Sequence, residues 1–170
     1  YLRFRGVLGT SSGFQSDQFR RVEAMLGLKD ARFLAHHEDR PEAHAALKAA
    51  IEAPSLYDDA LHQLARAGFD LPPEVLERDI SAPYEPHPAV EAAWLAVYRE
   101  PERYWPLYQL AEKLVDIDDA LLTWRHKHVV TVERIIGRKT GTGGTDGVGY
   151  LTETLKRRCF PELWSLRTRL

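Results

Sequence analysis

The sequence predicts an all-α fold. Large apolar residues in the second half of the chain recur in steps of three and four, which is the period of one face of an α-helix. They are Leu107, Leu110, Leu114, Ile117, Leu121, Trp124, Val132 and Ile135. Several prolines stand where a helix accepts one in its first turn, and glycines follow predicted helix ends. From these signals we expect helices almost throughout. The chain has no internal repeat and no low-complexity tract.

In the first half of the chain, three helices are predicted between proline and glycine residues. They span residues 14–28, 41–53 and 54–68. Gly27 stands near the end of the first helix, Pro41 suits the first turn of the second, and Gly68 lies near the end of the third. Residues 71–88 contain five prolines and are expected to form an irregular connector.

In the second half of the chain, four further helices are predicted. One spans residues 89–99 and ends at Glu100-Pro101. A long helix begins near Tyr104 and tolerates Pro106 in its first turn. Two shorter helices then follow, over residues 150–158 and 161–170.

Composition indicates one globular domain over residues 1–170. A chain of 170 residues can bury a core of its own, and 44% apolar with 28% charged residues is typical of a soluble protein. A net charge of −2 gives no reason to expect binding to nucleic acid or to an anionic membrane. The sequence contains no run of about 18 apolar residues, which is the length that a membrane-spanning helix needs. The lone Cys159 cannot form an internal disulfide, which suits the cytoplasm.

His128 is a candidate ligand within the apolar stripe. It lies four residues after Trp124 and is expected to face inward with it, whereas His126 lies about 200° around the helix and should point elsewhere. Two interpretations are open from the stripe alone. His128 is either a core histidine hydrogen-bonded to a carbonyl, or an imidazole that coordinates a metal or a haem iron.

A glycine-rich segment follows the long helix. Residues 137–149 hold six glycines, which permit positive φ angles and close approach of the backbone to a ligand. The segment follows a helix rather than a strand, which argues against a dinucleotide fingerprint, and no Gly-Lys-Ser/Thr sequence closes it as in a Walker loop. A binding loop and a simple helix–helix connector both remain open.

The adjacent pair His36-His37 is a weaker candidate for a metal site. Neighbouring side chains on a helix diverge by about 100°, so one ion cannot easily take both imidazoles. We therefore expect this pair to lie on the solvated surface.

Several motifs resemble one known family. They are Trp-Arg-x-x-His-Val-x-x-Val at 124–132, Gly-Thr-Gly-Gly at 141–144, Tyr-x-x-Phe-Arg at 1–5, Ser-Gly-Phe-Gln-Ser-x-Gln-Phe-Arg at 12–20, and Leu-Val-Asp-Ile-Asp at 114–118. In the order and spacing that these motifs have along the chain, the sequence resembles the tryptophan 2,3-dioxygenases over nearly all of its 170 residues. The resemblance implies a helical haem-dioxygenase-like bundle.

The resemblance also implies an activity and its cofactor. It implies a dioxygenase that uses haem b to cleave the indole C2–C3 bond of L-tryptophan with O2, giving N-formyl-L-kynurenine in the kynurenine pathway of tryptophan catabolism. The implied assembly is a homotetramer in the cytoplasm. Two alternatives stay open, namely a haem-dependent oxygenase for a different indole and a non-catalytic haem-binding protein.

The resemblance further implies roles for individual residues. His128 matches the proximal ligand of the haem iron, and Ser12 and Gly13 match positions beside the haem. Arg5 matches the arginine that holds the substrate carboxylate, for which a guanidinium is suited because it donates two parallel hydrogen bonds. The remaining matches concern substrate binding: Thr142 matches the loop threonine that contacts the ammonium and carboxylate, and Tyr1, Leu8 and Phe19 match positions of the indole pocket.

The sequence departs from the family pattern in two places. The family's distal histidine and an apolar wall of the pocket come from an earlier segment, so no catalytic residue is assigned here and residues 1–170 are expected to be the C-terminal portion of a longer protein. The loop reads Gly-Gly-Thr145-Asp146-Gly where the family usually continues Gly-Gly-Ser-Ser-Gly. Asp146 adds a negative charge near the proposed site of the substrate carboxylate. A different indole therefore stays open as the substrate.

Overall fold

A computed structural model describes residues 19–136 and 152–170, and all regular secondary structure within these ranges is helical. The predicted all-α fold is therefore confirmed. The α-helices are α1 (19–26), α2 (Pro41–Glu52), α3 (Leu56–Arg66), α4 (Pro73–Leu76), α5 (Pro88–Arg99), α6 (Trp105–Ile136), α7 (152–154) and α8 (Pro161–Ser165), and two 3-10 helices span Ala31–His37 and Leu166–Thr168. The chain divides into two compact units, Tyr1–Ala93 and Trp94–Leu170, and the division falls within α5.

Local sequence signals set the helix ends in the first unit. Gly27 adopts a left-handed φ of 113°, which favours glycine and ends α1. Pro41 occupies the first turn of α2 as predicted. Ser55 caps α3 through a capping box, because its hydroxyl accepts from the backbone N–H of Asp58 while the Asp58 carboxylate accepts from the backbone N–H of Ser55. Gly68 follows α3 with a φ of 94°.

The core of the first unit includes a cluster between α1 and α2. Its buried members are Ala24, Leu47 and Ile51, with Phe33 and Leu34 of the first 3-10 helix packed against it. The Arg20 guanidinium lies 3.6 Å from the centroid of the Phe33 ring and forms an ion pair of 2.6 Å with Glu23. These contacts hold the described part of α1 against the 3-10 helix that follows it.

The proline-rich segment 71–88 is packed against its neighbours and contains one turn of helix, α4. The buried Lys29 donates from Nζ to the carbonyl oxygens of Ala53 and Ile80, which ties the segment to the end of α2. Arg78 forms an ion pair of 2.5 Å with Asp58 of α3. The polar contacts of Lys29 and Asp58 therefore anchor a segment that has little regular structure of its own.

The core of the second unit forms where α5, the start of α6 and the C-terminal segment contribute apolar side chains. Its buried residues include Trp94, Val97, Leu107, Leu114, Phe160, Leu163 and Leu166. A polar contact also joins these elements, because Tyr98 donates to Glu112 at 2.6 Å and Arg167 donates to the same carboxylate at 2.9 Å. Burial is the largest cause that raises the pKa of Tyr98.

The buried side of α6 differs from the predicted apolar stripe. Leu107 and Leu114 are buried as expected, but the prediction is wrong further along the helix, where Ile117 is 38% and Trp124 is 41% exposed. The buried positions there are Asp118, Arg125 and Val129. Asp118 follows Ile117 by one residue, Arg125 follows Trp124, and Val129 follows His128. One residue along an α-helix is a rotation of about 100° around its axis.

The C-terminal segment explains this rotation. The Asp118 carboxylate accepts the backbone N–H of Cys159 at 3.2 Å and the indole N–H of Trp164 at 2.8 Å. The Arg125 guanidinium donates to the backbone carbonyl of Arg157 at 2.9 Å. Buried polar groups are stable where hydrogen bonds satisfy them, so these contacts turn the polar side of α6 inward and leave the Ile117 and Trp124 side outward.

Candidate functional site

His128 lies on the outward apolar side of α6. Its imidazole is half-buried and stacks on the indole of Trp124, with the ring centroids 4.9 Å apart and the planes at 10°. The two residues are one turn apart, at positions i and i+4, where side chains on a helix meet. The stack was not predicted from the sequence. The i, i+4 spacing of the two residues is the signal that could have indicated it.

The surroundings of His128 differ from those of a core histidine. Within residues 19–136 and 152–170, the imidazole has a stacking partner and no hydrogen-bond partner. The interpretation of a core histidine bonded to a carbonyl therefore receives no support from this part of the chain. The expected inward orientation is also corrected, since His128 belongs to the side of α6 that presents Ile117 and Trp124 to the outside.

Burial lowers the pKa of His128 below its ordinary value of 6.5. The imidazole is therefore neutral at neutral pH, and a neutral imidazole has the nitrogen lone pair that a metal ion requires. Exposed His126, two residues away, provides a natural comparison because it lies on a different side of the same helix.

The apolar side of α6 around His128 extends over about three turns. Ile117 and Trp124 are exposed and Leu121 is partly exposed, and all lie within a narrow arc of the helix that includes His128. These side chains give one side of α6 an apolar surface that an apolar ligand could contact. A flat apolar cofactor with one open coordination position fits this combination of a surface and a neutral imidazole.

The single imidazole of His128 can serve as the one protein ligand that a haem iron needs. Across the described residues, no three or more histidine, cysteine, aspartate or glutamate side chains form a group that could hold a metal ion. A porphyrin supplies four nitrogens itself and needs as little as one protein ligand, whereas a structural zinc site needs four. A lone imidazole on an apolar surface therefore fits haem.

The pair His36-His37 gives one correction. His37 is 4% exposed, not on the solvated surface as predicted, and its Nδ1 lies 2.8 Å from Nη2 of Arg40. A guanidinium can only donate, so Nδ1 of His37 is the acceptor. The residues that follow this pair are polar, so the burial of His37 could not be inferred from the sequence.

The other predicted site residues fall in two groups. Phe19 is half-buried on α1 in the first unit, where its ring centroid lies 5.6 Å from the Arg20 guanidinium. The remainder lie outside the described residues and stay predictions: Tyr1, Arg5, Leu8, Ser12, Gly13 and Thr142. No helix in the described ranges is both long and apolar enough to cross a membrane.

Comparison with known proteins bears on the whole chain. The family model described as tryptophan 2,3-dioxygenase matches residues 1–170. The chain is 69% identical over 170 residues to the tryptophan 2,3-dioxygenase of Caulobacter vibrioides, 55% to that of Bacillus cereus and 54% to tryptophan 2,3-dioxygenase 1 of Ralstonia nicotianae. Each match covers 100% of this chain but only 65%, 61% and 58% of the relative, which is less than two thirds. The chain belongs to the tryptophan 2,3-dioxygenase family.

Proposed function

We propose that the protein containing this chain is a haem-dependent dioxygenase that cleaves the indole C2–C3 bond of L-tryptophan with O2 to give N-formyl-L-kynurenine. The observation that carries the proposal is His128, a half-buried neutral imidazole on the outward apolar side of α6, in a chain that belongs to this family. Bound haem b supplies the iron that activates O2, and His128 holds that iron through a ring nitrogen.

The proposed substrate contacts come from three parts of the sequence. Arg5 binds the tryptophan carboxylate through two parallel hydrogen bonds, and Thr142 contacts the carboxylate and the ammonium. Tyr1, Leu8 and Phe19 surround the indole, while Ser12 and Gly13 lie beside the haem. The half-buried ring of Phe19 supports its part in an apolar pocket. The sequence resemblance supports the other roles.

We further propose that the intact protein acts in tryptophan catabolism as a homotetramer in the cytoplasm. Cys159, buried in the second unit, is the one cysteine among these 170 residues and suits a reducing compartment. The family membership of the chain supports the oligomer and the pathway.

One sequence feature favours a second candidate function. Asp146 adds a carboxylate to the glycine-rich segment, where it would repel a substrate carboxylate. An indole without a carboxylate avoids this repulsion. The second candidate is therefore a haem-dependent oxygenase for a different indole.

Product analysis with the full-length protein tests the proposal. The protein is loaded with haem, reduced, and exposed to O2 with L-tryptophan or with 2-methylindole, and the products are identified by mass. The expected product is tryptophan plus two oxygen atoms, formed much faster than any product of 2-methylindole. Turnover of 2-methylindole alone would favour the second candidate. Haem binding without any product would indicate a haem-binding protein that does not catalyse.

A further inference from the structure

We propose that Trp124 is the residue that positions the His128 imidazole for the iron. The inference rests on the proposed function, since it assumes that His128 is the haem ligand. It goes beyond that function because it concerns how the plane of the ligand ring is fixed.

The stack has the geometry that this task requires. The ring planes of Trp124 and His128 are within 10° of parallel at a centroid distance of 4.9 Å. Turning the imidazole about its bond to the side chain would break this contact. The lone pair of the unprotonated ring nitrogen and the N–H bond of the other nitrogen both lie in the imidazole plane. A restraint on the plane is therefore also a restraint on the direction of a bond to iron.

Stacking also leaves both nitrogens available. The indole covers a face of the imidazole, whereas iron and any hydrogen-bond acceptor bind at its edge. Among the residues that the structure describes, His128 has no hydrogen-bond partner that would fix its ring instead. The contact with Trp124 is therefore the orienting contact within this part of the chain.

Trp124 differs from the core tryptophan of the same unit. Trp94 is fully buried, whereas Trp124 is 41% exposed and makes a smaller contribution to the core. On the buried side of α6, about 100° around the helix, Asp118 and Arg125 fix the rotation of the helix through their contacts with the C-terminal segment. Removal of the Trp124 indole is therefore expected to release the imidazole without turning the helix.

Two variants at this position separate stacking from bulk. Trp124→Phe retains an aromatic face beside the imidazole, and Trp124→Leu retains apolar volume without one. In full-length protein loaded with haem, we expect Trp124→Leu to speed haem loss to apomyoglobin by about two- to tenfold, which corresponds to the strength of an aromatic pair. We also expect its iron–imidazole stretching band to broaden or shift. Trp124→Phe should lie near the unaltered protein in both measurements.

Trp105→Leu is the matched control. Trp105 is on the same helix, is 51% exposed, and stacks on Tyr108 with centroids 5.7 Å apart and planes at 16°. This variant also loses an exposed, stacked indole but no contact with a histidine. It should leave the stretching band and the haem loss rate unchanged, and thermal unfolding of the haem-free forms corrects each variant for any loss of fold.

The outcomes distinguish the inference from the proposed function. If Trp124→Leu and Trp105→Leu give the same stretching band and haem loss rate, the positioning role is overturned while haem ligation stands. The role is also overturned if Trp124→Phe loses haem as fast as Trp124→Leu. If the unaltered protein takes up no haem and shows no Soret band, the proposed function itself fails.

Discussion

Asp118→Asn is expected to lower the free energy of unfolding by about 1–3 kcal/mol, because it weakens the contact between α6 and the C-terminal segment. The Asp118 side chain is fully buried and accepts hydrogen bonds from the backbone N–H of Cys159 and the indole N–H of Trp164. A hydrogen bond to a charged group contributes about 1.5–3 kcal/mol and a neutral one about 0.5–1.5 kcal/mol. Weakening both bonds from charged to neutral would cost about 2–3 kcal/mol. The cheaper burial of a neutral amide offsets part of this cost, which extends the expected range down to about 1 kcal/mol.

Urea denaturation of the haem-free protein measures this change. The slope of the free energy against urea concentration should stay the same, so that the shift in midpoint reports stability alone. Asp119→Asn is the matched control, because it removes the same charge from the next residue of α6, which is exposed. The control is expected to change stability by less than about 0.5 kcal/mol. Equal effects of the two substitutions would refute the reasoning.

A double-mutant cycle with Trp164→Phe assigns part of the effect to one contact. The phenylalanine ring keeps most of the apolar contact but cannot donate to Asp118. Asp118→Asn should therefore cost less in the Trp164→Phe background than in the unaltered protein. Strict additivity of the two substitutions would show that the hydrogen bond of 2.8 Å contributes nothing to stability.

The remaining predictions concern substrate and proton binding. Arg5→Lys should weaken tryptophan binding by more than about tenfold, because a forked pair of charge-assisted bonds is lost, while haem uptake stays intact. Arg3→Lys is its control, and unchanged tryptophan affinity in Arg5→Lys would refute the role. Haem affinity should fall on acidification with a midpoint below pH 6.5, because burial lowers the pKa of His128 and protons compete with iron for its lone pair. The same shift makes the haem-free protein lose stability as the pH falls from 6.5 toward the folded-state pKa, since only the unfolded chain is then protonated. A haem-binding midpoint at or above pH 6.5 would contradict the assigned burial of His128.

Several helix starts and ends could be predicted from local proline, serine and glycine signals. Pro41 and Ser55 set the starts of α2 and α3, and Gly27 and Gly68 follow the ends of α1 and α3, as the sequence indicates. The 3-10 helix Ala31–His37 was not predicted. Its seven residues are too few to show a helical period, and the burial of His37 depends on tertiary packing.

The side of α6 that is buried could not be predicted beyond Leu114. Periodicity counts apolar residues, so it selected Ile117 and Trp124 rather than Asp118 and Arg125. The partners of these two polar side chains lie between residues 157 and 164, more than thirty positions further along the chain. Only the folded chain brings such partners together.

The stripe singled out His128 but left its role open, and the motif identified it as the candidate ligand. The stripe placed His128 inward, whereas the structure gives it a half-buried position beside an exposed tryptophan. The resemblance of Trp-Arg-x-x-His-Val-x-x-Val to one family pointed to the same residue, and the family is confirmed. The stack on Trp124 required the structure, because sequence spacing gives the proximity of two side chains but not the angle between their rings.

Haem titration of His128→Ala and His126→Ala in the full-length protein tests ligation by His128 most directly. The two histidines share one helix, and His126 is exposed on a different side of it. We expect His128→Ala to abolish haem retention and the Soret band of the ligated protein, and His126→Ala to bind haem as the unaltered protein does. A normal Soret band in His128→Ala, or its loss in His126→Ala alone, would contradict the assignment of His128 as the iron ligand.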